Sequence, residues 1–459
     1  MKTNTRATHS ARTHEGLTVS RASPMTELRR TASACLLFED TFYESGEDIA
    51  KRLHGLVQRA PLDDVLRLAQ DLRHRHGLRH APLWLLNAAL DHPARAQHRN
   101  NLVAVLANVC GSRGDMPGEM LSLYWKNGKR PIAKALRDGL ERALQSFGSY
   151  GLQKYAARGA IRLRDVLFLT HAKPRDADQE PWFEMLADDT LPAADTWENK
   201  LSAGASKRET FEEMLREGRL GALAVLRNLR NMLESGVPLP VIAEGLQRAV
   251  GSSKFGVLPF QFVAAARVAP ALEPAIEKAM LGGIRRFMSE SGDDFTVSLL
   301  SGHTVLLVDV SGSMQDKLSA KSTLNRSDAA GAMAILLREV CNEVSVFDYN
   351  TLMREVPART GFALRDAIRS PSGGTYTGHA AKAALDEVTR RLGRAPDRVI
   401  VITDEQTDRF GGGLPALPAD TRGYVMNVAP YQNGVAWGSW TTISGFSENL
   451  VKFIISVEQ

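Results

Sequence analysis

The sequence predicts a two-part, multidomain protein: an all-α region of stacked helix pairs, then a doubly wound, Rossmann-like α/β domain. Three observations carry that prediction. Up to about Arg286, short segments with apolar residues at three- and four-residue spacing follow one another without intervening strands. After Ser291-Gly292-Asp293-Asp294, apolar β-type runs alternate with helical ones. The charge divides at the same place, with 41 Lys and Arg against 35 Asp and Glu over residues 1–300 and 16 against 17 afterwards.

In chain order, the helical spacing covers Glu47–Gln58, Leu62–Arg73, Leu83–Leu90, Asn100–Val109, Pro131–Gln145, Arg162–Leu169, Phe211–Arg216, Leu220–Leu233 and Val241–Val250. Ser45 with Asp48 resembles a capping box, and Pro131 suits a first helical position. In the second part His303–Val310 reads as a buried strand, Ser327–Val340 as a helix and Glu343–Phe347 as a strand. Met353–Val356 reads as an edge strand and Gly378–Leu392 as a helix, with strands at Arg398–Ile402, Gly423–Val428 and Lys452–Val457. The expected boundaries are a disordered tail over 1–29, a helical region over 30–297 and the α/β domain over 298–459. The tail is rich in Thr, Arg, His and Ser but too poor in apolar residues for the amphipathic helix of a transit peptide.

Composition narrows the function classes. Cys35, Cys110 and Cys341 are far apart and have no CxxC spacing, which argues against a disulfide framework or a zinc site and suits a cytoplasmic protein. No apolar run has the roughly 18 residues a transmembrane helix needs. The phosphate-loop, GxSxG and HExxH signatures are absent, so the expectation is a protein that is not an enzyme.

The sharpest local pattern is Asp309-Val310-Ser311-Gly312-Ser313-Met314 at the end of the first strand. In extended chain the side chains at 309, 311 and 313 project to one side. Gly373-Gly374-Thr375-Tyr376-Thr377 and Thr403-Asp404-Glu405 are two further loops of matching chemistry, the second at the C-terminal end of a buried strand. The donors are hard oxygens, which suit Mg²⁺ or Mn²⁺ better than zinc. A second pattern is basic: residues 121–175 hold 12 Lys and Arg against 3 Asp and Glu, a local +9. Lys154 and Arg158 are four apart and would share a helix face, while Thr170-His171-Ala172-Lys173-Pro174 ends the next helix. Lys129, Arg130, Lys134 and Arg137 are further candidates from the charge count.

These motifs resemble known families. Residues 300–459, with their DxSxS, Gly-Gly-Thr and Thr-Asp loops in order, are similar to von Willebrand factor A domains with a metal-ion-dependent adhesion site. That resemblance implies that Ser311, Ser313 and Thr375 coordinate through hydroxyls, and Asp309 and Asp404 directly or through water, with one position open to an acidic protein ligand. Glu405 departs from the Gly found in many such domains. Leu37–Glu44, His80–Leu86, Lys154-Tyr155-Ala156-Ala157-Arg158, Leu169–Pro174, Thr196–Gly204, Leu223–Asn231 and Leu258–Arg267 look like the TROVE module of the Ro autoantigen family, closest to its bacterial members. The resemblance implies a ring of HEAT-like repeats joined to the A domain. Y-RNA-like small noncoding RNA would lie on the basic outer face, and single-stranded 3′ ends of misfolded RNA would enter the hole. Lys154, Arg158 and His171 would contact RNA; Arg227 and Arg230 line the hole or are structural. An exoribonuclease such as polynucleotide phosphorylase is the partner it implies for a monomeric protein working in RNA quality control. The competing expectation is a metal-dependent protein-adhesion scaffold without RNA function.

Overall fold

The computed structural model describes residues 24–33, 46–75, 77–252, 259–289, 300–318, 324–404, 412–428 and 440–444, together with 451, 454 and 458. The Ser45 cap, the Leu37–Glu44 motif, Ser291–Asp294, Cys35 and Glu405 lie outside these residues. The chain begins with α1 (Pro24–Ser33), α2 (Gly46–Val57), α3 (Leu62–His74), α4 (His80–Ala89) and α5 (Arg99–Cys110). It continues through α6 (Met116–Tyr124), α7 (Lys134–Gln145), α8 (Ser149–Tyr155), α9 (Leu163–Thr170) and α10 (Glu180–Ala187). After the short α11 (Trp197–Ser202) come α12 (Lys207–Arg216), α13 (Ala222–Glu234), α14 (Leu239–Gly251), α15 (Pro259–Val268) and α16 (Glu273–Ser289).

Alternate helices pack in rows. Helix α3 touches α5, α5 touches α7 and α7 touches α9, while α2, α4 and α6 form a facing row. Helices α12, α14 and α16 repeat the arrangement, with α13 against α15. The α5–α7 approach is close because Gly139 has no side chain: a Cβ there would lie 2.6 Å from the Cβ of Leu106. Leu136, Leu140, Ala143 and Leu144 form the buried stripe of α7, at the spacing that marks its apolar face in the sequence. One apolar core runs from Leu28 to Leu186 through the first stack.

Among the described residues the remainder forms a six-stranded sheet ordered β3-β2-β1-β4-β5-β6. Its strands are β1 (Leu300–Asp309), β2 (Cys341–Tyr349), β3 (Met353–Glu355), β4 (Arg398–Thr403), β5 (Arg422–Asn427) and β6 (Trp440–Ser444). All pairings are parallel except that of β3, the expected edge strand, which runs antiparallel to β2. Helices α17 (Arg326–Val340), α18 (Gly361–Ala367) and α19 (Thr377–Leu392) complete the domain. Both faces of β1 are covered. Leu306 and Val308 share a core with α12–α17, and Val305 and Leu307 pack with Ala380 and Ala384 of α19. From β1 the chain crosses to β2 on one side and later returns to β4 on the other, so the β1–β4 boundary is the switch point at whose C-terminal edge ligands bind in such sheets.

Four sequence expectations need correction. Helix α1 begins at Pro24, inside the expected tail, because Leu28 and Ala32 find a buried place against the first stack. Helix α7 starts at Lys134 rather than Pro131; Tyr124 Oη donates to the Pro131 carbonyl at 2.9 Å and holds that residue in the preceding loop. Of the expected strand Lys452–Val457, the described residue Ile454 is helical, as are the flanking Val451 and Glu458. Val451 and Ile454 are both fully buried, and a spacing of three places them on one helix face. The last described strand is Trp440–Ser444 instead. Finally, Arg158 does not share a helix face with Lys154, since α8 ends at Tyr155.

Candidate metal centre and nucleic-acid interface

The switch point gathers the oxygen-bearing loops. Asp309 ends β1 and is fully buried; its Oδ1 accepts from the Ser311 amide at 2.8 Å and its Oδ2 from the Thr403 hydroxyl at 2.6 Å. The Ser311 and Ser313 hydroxyls lie 3.2 Å apart. Backbone bonds pin the Gly-Gly-Thr loop to this turn, with Gly312 N donating to Gly373 O at 2.9 Å and Ser372 N to Val310 O at 2.8 Å. Gly373 has φ 75°, a left-handed conformation that glycine adopts without strain. The loop then turns Thr375 into the protein, where it is 4% exposed. Asp404 follows β4 and is also fully buried.

The electrostatics bear on what this cluster fits. Burial, reinforced by the Asp404 carboxylate, pushes the Asp309 carboxyl up to about 7. Burial and Asp309 likewise raise the Tyr349 phenol well above its ordinary range. Among the described residues no three His, Cys, Asp or Glu side chains form a metal-binding group. The donors here are two carboxylates and several hydroxyls, a set that fits a small hard cation completed by water and not zinc. Cys110 and Cys341 are buried with thiols pushed up to about 12 and about 11, which removes both as nucleophiles or thiolate ligands near neutral pH.

The sequence reading missed one participant. Arg326, the first residue of α17, donates from Nη1 to Asp404 Oδ2 at 2.7 Å and to Ser313 O at 3.3 Å. It stands 78 residues from Asp404 in the chain, and only the packing of α17 reveals it.

The basic residues are arranged around aromatic rings. Three cations surround Tyr155: Arg113, Lys154 and Arg158 lie 5.3, 5.8 and 5.6 Å from its centroid. Lys154 also donates to the Tyr150 hydroxyl at 3.3 Å, and Tyr150 is 54% exposed. Arg158 reaches Glu198 at 3.6 Å, an exposed pair of little energetic weight. A second group lies on the loop between α6 and α7. Lys126 sits over Trp84, Lys129 over Trp125 and Arg130 over Tyr124, at 5.1, 6.0 and 4.0 Å. Arg130 also pairs with Asp91 at 3.1 Å and so braces its own loop. Arg137 meets Asp138 at 3.4 Å, and Lys134 is exposed at the start of α7. His171 is exposed at the end of α9 in a left-handed conformation, φ 55°. Arg164 lies over the exposed Phe168 at 5.5 Å. Thus Lys154 and Arg158 converge on one ring, joined by Arg113, while Lys129 and Arg130 belong to another group.

Residues 174–283, which span α10 to most of α16, match the TROVE domain family. The basic segment largely precedes that match. The whole fold is similar to the crystal structure of Deinococcus radiodurans RO (RSR) protein, with a TM-score of 0.60 at 18% identity, covering 92% of this chain and 97% of that one. Residues 174–283 thus carry the TROVE match, and the fold as a whole is similar to that of a bacterial Ro protein.

Proposed function

We propose that this protein binds RNA without cleaving it, holding Y-RNA-like small noncoding RNA on the basic surface of α6–α9. Single-stranded 3′ ends of misfolded RNA would enter a ring of HEAT-like repeats, in the service of RNA quality control. The observation that carries this reading is the grouping of Arg113, Lys154 and Arg158 around Tyr155 beside the exposed Tyr150. Cations that neutralise phosphates next to rings that stack bases are what single-stranded nucleic acid requires. Ring closure is supported by the contact between α1 and β6, which joins the first helical stack to the sheet's far edge. The sheet domain is assigned as a von Willebrand factor A domain holding Mg²⁺ or Mn²⁺ through Asp309, Ser311, Ser313, Thr375 and Asp404. The ion would supply a Lewis-acidic position for an acidic protein ligand. An exoribonuclease is the partner this role calls for.

Affinity for a structured small RNA with a single-stranded 3′ tail is expected to fall steeply with salt, because each neutralised phosphate releases condensed counterions. Replacing Lys154 and Arg158 together by Ala should weaken binding and flatten the log–log salt dependence by about one to two units, at roughly 0.7–0.9 for each phosphate no longer neutralised. His171→Ala should weaken binding with little change in slope. Equal affinity for RNA and heparin, with the double variant keeping its slope, would leave the adhesion-scaffold reading in place. Incubated with single-stranded RNA and Mg²⁺ or Mn²⁺, the protein should yield no fragments. Time-dependent cleavage lost in Asp404→Ala would instead make it a metal-dependent nuclease.

A further inference from the structure

The first turn of α17 puts a permanent positive charge into the proposed metal site. Arg326 is held there by backbone as well as side chain. Its amide donates to Asp316 O at 2.9 Å, and Asn325 caps the helix through a bond from the Asp328 amide, with Asp328 bonding back to the Asn325 amide. The guanidinium is 14% exposed and stands between two carboxylates of opposite character. The same Nη1 is 2.7 Å from Asp404, which is fully buried, and 3.4 Å from Asp316, whose side chain is 64% exposed.

Ionised, Asp309 and Asp404 carry two negative charges in a buried place, and Arg326 offsets one of them. A divalent cation entering beside the guanidinium would leave three positive charges facing the two buried negative ones, with the exposed Asp316 to offset the excess from the solvent side, at distances where a low local dielectric makes like-charge repulsion large. Asp316 offers the guanidinium a second partner toward solvent, and the rotation needed is small because both oxygens already flank the same nitrogen.

Resting on the metal-site reading above, we propose that Arg326 is an internal counter-ion which competes with the divalent cation for Asp404 and is handed to Asp316 when the ion binds. The residue therefore sets the metal affinity of the site downward. It also helps keep the metal-free site folded, by offsetting the charge of the fully buried Asp404.

The test is calorimetric titration of the full-length protein with MnCl₂ and, separately, MgCl₂, at a pH above the range where Asp309 takes up a proton. Arg326→Gln is expected to bind Mn²⁺ roughly tenfold more tightly than the parent, and Asp316→Asn several-fold more weakly, because it removes the guanidinium's second partner. Arg326→Lys keeps the charge and should stay near the parent. Melting temperature without metal should fall in Arg326→Gln and be raised more by Mn²⁺ than in the parent. Unchanged or weaker Mn²⁺ binding in Arg326→Gln overturns the competition and makes the arginine a structural brace. If Arg326→Gln is too unstable to titrate, Asp316→Asn decides alone, and parental affinity there overturns the proposal. Absence of binding in parent and variants alike defeats the metal-site reading itself and the proposal with it.

Discussion

Asp309→Asn is expected to abolish divalent-cation binding and to erase a pH dependence that the parent shows. In the metal-free protein the Asp309 carboxyl is pushed from its ordinary 3.8 up to about 7. Between those values the folded chain holds a proton that the unfolded chain has released, so stability falls as pH rises from about 4 to about 7 and levels off above. A cation binds the ionised form. Mn²⁺ affinity should therefore weaken by up to about tenfold for each pH unit below 7, with a proton released on binding. The asparagine keeps the size of the side chain and an oxygen that can accept from Thr403, but not the charge. Its metal-free stability should lose the decline across that window, and added Mn²⁺ should no longer raise its melting temperature. Calorimetric titrations of the parent at about pH 6 and about pH 8 check the argument; equal affinities would refute it.

The grouping of the three oxygen-bearing loops was readable from sequence because its signals are local. Asp309, Ser311 and Ser313 lie within one turn, and Thr375 and Asp404 each follow a recognisable Gly-rich or strand-end signal. Parallel-sheet topology does the rest by bringing the C-terminal ends of β1 and β4 side by side. Arg326 carries no comparable signal. An arginine at a helix start reads as ordinary surface charge until α17 packs against the sheet and brings it to Asp404. The basic surface was legible as a charge count but not as a geometry. The Lys154–Arg158 spacing suggested one helix face, whereas α8 ends at Tyr155 and the two cations meet over that ring instead. Arg113 escaped notice because it lies outside the richest stretch of charge. Among the helices, those with a broad apolar stripe such as α3 and α7 were identified, whereas α1, α6, α10, α11, α15 and α16 were not. For α6, α10 and α11, with six to nine residues, a period of 3.6 is hard to see in two turns.

Arg267→Ala is expected to loosen the junction between the helical region and the sheet domain more than Asp328→Asn does. Arg267 near the end of α15 makes a two-pronged pair with Asp328 in the first turn of α17, one prong at 2.7 Å. The partners differ in burial: the Arg267 side chain is 50% exposed and that of Asp328 only 5%. Removing the arginine leaves a buried carboxylate without its counter-ion, which typically costs roughly 3–5 kcal/mol, with the lower end expected because water reaches the arginine. Asp328→Asn leaves an arginine that can turn to solvent and keeps an acceptor for the Asn325 amide, so about 1 kcal/mol is expected. Combining the two changes should cost less than their sum, since no buried charge remains to be orphaned. Two further links cross the junction nearby: Arg365 pairs with Glu273 at 2.8 Å, and the Phe362 amide donates to Glu277 at 2.6 Å. The arginine variant should therefore stay assembled while amide exchange rises selectively in α15 and the first turn of α17. Denaturation and hydrogen exchange on the two single variants and the double variant measure both effects. An Arg267→Ala stability within about 0.5 kcal/mol of the parent would mean that the pair is fully solvated and the junction is held by its apolar packing alone.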